Sequence, residues 1–116
     1  MADAALFVGY GQPARARERQ AIELFNQALA LYGDLQESGE IESYEPVLLD
    51  PHGGKLAGFV LLRGTREQLD RLRDHGEFQR LKARAGLVVE HFGVVAAHLG
   101  ERLADQMDIY GHEVEA

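Results

Sequence analysis

Two neighbouring polar side chains, Glu90 and His91, are the strongest candidates for acid–base chemistry in this sequence. They occur in the middle of an otherwise apolar segment, residues 87–97, that we predict to be a strand. A buried carboxylate or imidazole needs a partner or takes a shifted pKa, and acid–base catalysts arise in this way. Because successive strand residues point to opposite faces, we expect only one of the two to face the interior. The alternative is structural, with Glu90 paired to an arginine and His91 as a hydrogen-bonded core residue.

Three side chains on neighbouring predicted strands are candidates for ligand binding: Tyr10, Tyr44 and Arg63. The tyrosines offer hydroxyl groups that donate and accept hydrogen bonds, and the arginine offers a planar set of donors. These groups would serve as partners for Glu90 or His91, or for a bound molecule.

We expect no metal site. The five histidines lack the H-x-H, H-x-x-x-H and H-E-x-x-H spacings that bring imidazoles together on one metal ion. His52 and His112 are expected to be solvated, and His75 is expected to cap a helix locally.

The segment 9–14 has the formal pattern G-x-G-x-x-A of a dinucleotide-binding loop. That site needs a parallel unit with an acid at the end of its second strand. Here a hairpin follows, and Asp50 comes too late in the chain. We therefore interpret the segment as a turn and expect no cofactor.

Composition excludes several classes of protein. The chain has 116 residues, which is enough for one domain. A net charge of −7 disfavours binding to nucleic acids and to anionic membranes. With no cysteine, the chain cannot form disulfides or thiolate metal sites. No apolar run approaches the ~20 residues of a membrane span, and the opening Met1-Ala2-Asp3 does not resemble a signal peptide, so we expect a cytoplasmic protein.

Turn residues and changes of hydrophobic period divide the chain into six main elements and a tail. A capping box from Thr65 to Gln68 is predicted to begin the second helix, Gly76 to break or kink it, and Gly86 to end it. The predicted strands are 6–10, 41–49, 56–63 and 87–97, the predicted helices are 14–37 and 65–86, and an acidic tail follows from Gly100, with one short helix around Leu103, Met107 and Tyr110.

This order, β-α-β-β-α-β, predicts an α+β fold in which two helices cover one face of a four-stranded antiparallel sheet. Right-handed crossovers place the first and third strands in the centre and the second and fourth at the edges. Pro46 agrees with that placement, because a proline in a strand favours the sheet edge. We expect a single domain, with a core over 1–99 and a tail over 100–116 that is associated with a dimer.

The predicted strands carry apolar residues on both faces, which an open sheet covered on one side does not need. In the third strand, Val60 and Leu62 fall on one face, while Phe59 and Leu61 fall on the other. An apolar second face needs a cover, since otherwise it is an association site. The simplest cover is a second copy of the same sheet, packed face to face by two-fold symmetry. The predicted partner is therefore the chain itself, as a homodimer.

The segment 56–63, running through Gly64-Thr65 into 69–72, resembles the dimeric α/β-barrel superfamily of ferredoxin-like proteins. Antibiotic-biosynthesis monooxygenases, muconolactone isomerases and stress-responsive barrel proteins belong to that superfamily. The segment 77–81 is similar to its small uncharacterised bacterial members. The resemblance implies a ferredoxin-like fold and a face-to-face dimer. It implies no catalytic residue, because the chain has no tryptophan and no Asn-Trp-His set like that of the monooxygenases.

From these observations we expect a small cytoplasmic homodimer that binds a small organic molecule in an apolar cavity between its sheets. One alternative is a cofactor-free enzyme, monooxygenase-like or isomerase-like, that acts on a small metabolite with His91 or Glu90 as acid or base. Another is a structural or interaction module without a ligand.

Overall fold

Four strands and four helices make up the part of the chain that the computed structural model describes, residues 3–115. The expectation drawn from Met1-Ala2-Asp3 rests on two residues that lie outside this range, and Ala116 lies outside it as well. The elements are β1 (Ala4–Tyr10), α1 (Glu18–Glu37), β2 (Ser43–Leu48), β3 (Gly58–Gly64), α2 (Arg66–Asp74), α3 (Gly76–Val88), β4 (Gly93–His98) and α4 (Gly100–Glu115).

The strands form one antiparallel sheet in the order β2-β3-β1-β4. At its centre, Leu6 pairs with Leu62 of β3 on one side and with Ala96 of β4 on the other. The predicted arrangement of central and edge strands is confirmed, and so is the hairpin of β2 and β3. Pro46 lies in the edge strand β2, where a missing backbone donor is tolerated.

The hydrophobic core lies between the helices and one face of the sheet, which we call the helix-facing side. Leu6 and Val8 of β1 and Val60 of β3 are buried there, as the alternation of strand side chains requires. The largest side chains that are almost completely enclosed are Tyr32 of α1, Phe78 of α3, Leu62 of β3 and Ile41 before β2. Truncating a core residue of this size typically costs about 2–5 kcal/mol, so this layer dominates the stability of the fold.

The predicted second helix is two helices with a break at His75. Its beginning is as predicted: the Thr65 hydroxyl accepts from the Gln68 amide at 3.1 Å, and the Thr65 amide donates to Gln68 Oε1 at 2.7 Å. His75 has an extended backbone, and its Nδ1 accepts from the Glu77 amide at 3.2 Å. The local capping role predicted for His75 is therefore confirmed.

The predicted strand 87–97 is wrong in its first part, because the helix continues to Val88 and β4 begins only at Gly93. Gly86 does not end the helix, since the backbone passes through it in helical form. The buried face of α3 keeps a helical spacing up to its end, with Phe78, Leu81, Ala85 and Val88. Residues 89–92 then form a connection from α3 to β4.

The C-terminal helix α4 is longer than the short helix predicted for the tail. It covers sixteen residues, has no buried residue, and packs mainly against β4. The radius of gyration of 15.7 Å exceeds the roughly 13 Å expected of a compact domain of this length, in keeping with a projecting helix. No helix between residues 3 and 115 combines the length and the apolar content that a bilayer span needs.

Candidate functional site

A cavity of about 310 Å³ lies between the helices and the helix-facing side of the sheet. β1 and β3 contribute Val8, Tyr10 and Val60, while α1 and α3 form two walls. Its lining consists of alanine, aliphatic, phenylalanine and tyrosine side chains. The volume is at the lower end of the roughly 300–1,000 Å³ of small-molecule sites. An apolar cavity of this kind suits a small and largely apolar molecule.

Three alanines create the empty space. Ala21 and Ala28 lie seven residues apart on α1 and therefore share one face of the helix, and Ala85 lies on α3. Each side chain ends at Cβ, so the volume that a leucine would fill at these positions stays open. The entrance carries apolar side chains as well: Ile22 and Leu48 line the cavity although both are exposed, Leu48 to 79%.

Two tyrosine hydroxyls are the polar groups of the lining residues. Burial raises the pKa of Tyr10 and, much more strongly, that of Tyr32. Both groups therefore stay protonated at neutral pH, where they donate and accept hydrogen bonds but do not act as bases. The Tyr10 ring packs edge-on against Phe25 with the ring centroids 5.9 Å apart. Its hydroxyl occupies the space that a Cβ on Gly58 would need, so Gly58 permits this position.

The three predicted ligand-binding residues do not share a site. Tyr10 lines the cavity, whereas Tyr44 packs on Tyr32 with the ring centroids 6.1 Å apart and is not among the lining residues. Arg63 lies on the opposite side of the sheet, where its Nη1 contacts Glu45 Oε1 at 2.9 Å. The alternation of strand side chains separates them, because Tyr10 and Arg63 fall on opposite faces.

Glu90 and His91 do not lie in a strand, and the expectation of a buried acid–base residue at this position is wrong. Both residues are exposed in the connection from α3 to β4. The Glu90 backbone fixes the connection: its carbonyl accepts from the Gly11 amide at 2.7 Å, and its amide donates to the Gln12 carbonyl at 2.9 Å. His91 has a left-handed backbone, with φ of 54°. The residues on either side of the pair, Val89 and Phe92, line the cavity instead.

The second face of the sheet is apolar, as predicted, and we call it the open face. Its central residues are Phe7 and Phe59, whose stacked rings have centroids 4.8 Å apart, with Leu61 and Val95 beside them in register. Val95 is 56% exposed. Gly9 has no Cβ that would push the Phe7 ring away, so the ring lies close to the sheet. The ion pair of Arg63 and Glu45 borders this apolar surface on the β2 side.

The histidines are dispersed. His52 and His112 are exposed, as predicted, and each hydrogen-bonds a nearby backbone carbonyl, those of Asp50 and Asp108. Between residues 3 and 115, no three histidine, cysteine, aspartate or glutamate side chains lie together as a metal ion would require.

The cavity residues were mostly not identified as a site from the sequence. In the sequence, Ile22, Phe25 and Tyr32 follow a helical spacing, which is the usual signature of a core. The space among them depends on small residues from two helices, which no local spacing brings together. Among the candidates, only Tyr10 lines this cavity.

The chain matches no protein-family profile and no curated protein. Among solved structures, it resembles a dimeric protein of unknown function and ferredoxin-like fold from Bacteroides fragilis NCTC 9343, with a TM-score of 0.60 and 10% identity over 83% of this chain and 96% of that one. It also resembles a dimeric ferredoxin-like protein of unknown function from Jannaschia sp. CCS1, with a TM-score of 0.63 and 13% identity over 84% of this chain and 98% of that one. At such identities the likeness concerns the fold alone, and it confirms the expectation from the sequence: the fold of this chain is ferredoxin-like.

Proposed function

We propose that this protein is a homodimer in which each protomer binds a small, largely apolar molecule between α1, α3 and the sheet. The observation that carries the proposal is the cavity of about 310 Å³ with an apolar lining and two tyrosine hydroxyls. Apolar pockets with a few converging polar groups are the usual form of small-molecule sites. The Tyr10 hydroxyl would hydrogen-bond a carbonyl or hydroxyl group of the ligand.

The proposed dimer pairs the open faces of two protomers. Phe7, Phe59 and Val95 supply an apolar surface that a second identical surface covers under two-fold symmetry. The two solved structures of the same fold are both described as dimeric, which supports a dimer here. The sequence suggested a ligand between the sheets; our proposal instead puts the ligand on the other side of each sheet, so that dimer and ligand use separate surfaces.

Binding is favoured over acid–base catalysis by the chemistry of the lining. Burial raises the pKa of Tyr10 and of Tyr32, which leaves both hydroxyls protonated in the neutral range. Glu90 and His91, the residues expected to serve a cofactor-free enzyme, are exposed in the connection after α3. No specific observation favours an enzyme, and we propose no second function.

Thermal unfolding with indole and 4-methylphenol tests the proposal, because each probe is small and mostly apolar with one hydrogen-bonding group. A ligand that binds the folded state alone stabilises it by about 2.7 kcal/mol at a hundredfold excess over its Kd. We expect at least one probe to raise the Tm of the wild type. The substitution Ala28→Leu fills the cavity from α1 and is expected to abolish that rise.

The matched control is Ala30→Leu, an exposed position on the same helix, which should keep the response to the probe. Ala85→Leu fills the cavity from α3 and replaces Ala28→Leu if that variant does not fold. An equal rise in Tm for the filled and wild-type proteins would contradict the assignment of the site, as would the failure of both probes to bind.

A further inference from the structure

One apolar stripe on α4 is left without a cover inside the protomer. Leu103, Met107, Tyr110 and Val114 follow each other at intervals of four, three and four residues and so lie along one side of the helix. Their exposed fraction rises from 49% at Leu103 to 83% at Val114. α4 therefore diverges from the body of the protomer toward its C-terminal end.

A projecting helix of this kind needs packing to stay folded. Isolated helices shorter than about 12–15 residues are marginal in water, and α4 is only slightly longer. Gly111 lies within it and has no atom within 4 Å of the position of a Cβ, so no close packing compensates for the cost of a helical glycine. Most helical stability in proteins comes from burying an apolar face, and α4 has no buried residue.

The beginning of α4 is incomplete in a second respect. The Leu99 amide donates to the Asp3 carbonyl at 3.0 Å, and Gly100 has a left-handed φ of 53°, which together fix the direction in which α4 leaves β4. At this junction His98 Nδ1 and Arg102 Nε are buried, and neither finds a hydrogen-bond partner among residues 3–115.

Charge restricts what covers the stripe. α4 carries a single arginine, Arg102, against five carboxylates, at Glu101, Asp105, Asp108, Glu113 and Glu115. This excess of negative charge disfavours nucleic acids and anionic membranes, and it disfavours pairing of one α4 with another α4. The margin of the open face of a second copy has no such excess of charge, since the pair that borders it, Arg63 and Glu45, is mutually neutralised.

The area needed for a stable dimer also points to a second copy. Standard strand spacings give the open face a flat footprint of about 19 Å across four strands and about 20 Å along six residues, or about 380 Å². A specific interface buries about 600–1,000 Å² on each partner, which is more than this flat footprint. A sixteen-residue helix about 24 Å long and about 10 Å wide adds about 240 Å², which brings the total into that range.

We propose that α4 is a clasp, which packs its stripe of Leu103, Met107, Tyr110 and Val114 against a second copy of the chain beside the paired open faces. Two-fold symmetry makes this contact twice in each dimer. The inference rests on the proposed homodimer and adds that the sheets alone do not hold it together.

The double substitution Met107→Gln with Tyr110→Gln tests the clasp by removing the apolar stripe without adding charge. We expect the Kd of the dimer, measured by analytical ultracentrifugation, to rise at least tenfold. The control, Asp105→Gln with Asp108→Gln, changes the polar side of the same helix and should not weaken the dimer. A stripe variant that dimerises like the wild type overturns the clasp and leaves the open-face dimer intact, whereas a wild type that is monomeric throughout overturns both.

Hydrogen exchange on the unmodified protein gives a test that needs no variant. We expect the amides of residues 101–115 to be protected at concentrations where the dimer forms and to exchange much faster after dilution to the monomer. Protection that is the same in the monomer would show that α4 packs within its own protomer, and rapid exchange in the dimer would show that it does not dock at all. Either result overturns the clasp.

Discussion

Tyr32 shows at the scale of one residue how burial changes the response to pH. Its ring is almost completely enclosed between α1 and the sheet, and this burial raises the pKa of its hydroxyl well above the ordinary value of about 10. In the unfolded chain the hydroxyl ionises near pH 10, while in the folded chain it keeps its proton. Ionisation therefore favours the unfolded state as the pH rises above about 10, and the stability contributed by the neutral group is present below that pH.

We accordingly predict that the free energy of unfolding falls steeply above about pH 10 and that Tyr32→Phe makes this fall shallower. Urea unfolding of both proteins between about pH 8 and about pH 11 measures the two slopes. Phe78→Leu, which truncates a buried ring without removing a hydroxyl, is the control and should keep the wild-type slope. If Tyr32→Phe lost stability with pH as fast as the wild type, the alkaline loss would have to come from other groups.

Single residues could be ranked from the sequence only as far as their elements were known. Tyr10 is a candidate because of its hydroxyl on a predicted strand, and it lines the cavity. Glu90 and His91 are candidates only if a strand buries one of them. The observed strand β4 begins at Gly93, after both residues, so neither is buried in it. The alanines at 21, 28 and 85 had no signal at all, since a small side chain in a helix is ordinary.

At the scale of elements, the capping box of α2 offers a direct test. The Thr65 hydroxyl and the Gln68 side chain satisfy each other's backbone amides, and Gln68 Nε2 also donates to the Gly39 carbonyl at 2.9 Å. We predict that Thr65→Ala lowers the free energy of unfolding by about 1 kcal/mol, since helix caps are worth about 0.5–2 kcal/mol.

Thr65→Ser keeps a hydroxyl in the same place and should recover most of that loss in the same urea titration. A loss equal to that of Thr65→Ala would mean that the methyl group of Thr65, and not its hydrogen bond, stabilises the start of α2.

The order of the elements was predictable because the signals were local. Pro46 marked an edge strand, Thr65 marked a helix start, and both lie where predicted. The boundary after residue 86 was not predictable in the same way. The run Leu87-Val88-Val89 fits a buried strand as well as the last turn of an amphipathic helix, and packing of Val88 with the core decides for the helix. In α4, Gly111 and the many acidic residues weaken the helical pattern, so the full length of this helix could not be predicted either.

At the scale of the whole molecule, the proposed dimer can be tested at the open face. We predict that Val95→Asp shifts the protein from dimer to folded monomer, because it places a carboxylate on the face that the proposed dimer buries. Light scattering across a concentration series measures the mass, and circular dichroism checks that the monomer is folded.

The control is Leu87→Asp, which puts the same charge on an exposed leucine of α3. This residue lies in the helix layer, and the variant should keep the mass of the wild type. If both variants or neither changed the mass, the open face would not be the surface that joins the protomers.

That both faces of the sheet are apolar could be predicted, because alternate residues of each strand fall on opposite faces. The cavity could not, because it is a volume left between a helix pair and a sheet, and it depends on the distance between elements. Sequence patterns report which residues are apolar but not how completely they fill the space between them.

β1 has a consequence for how such a protein can diverge. Its odd-numbered residues, among them Phe7 and Gly9, belong to the open face, while Val8 and Tyr10 line the cavity. Alternation along one strand thus assigns neighbouring residues to two separate surfaces, the open face and the cavity. Under the proposed function, duplicated genes of this architecture would change their partner at odd positions and their ligand at even ones, so that the two traits would evolve independently from the same seven residues.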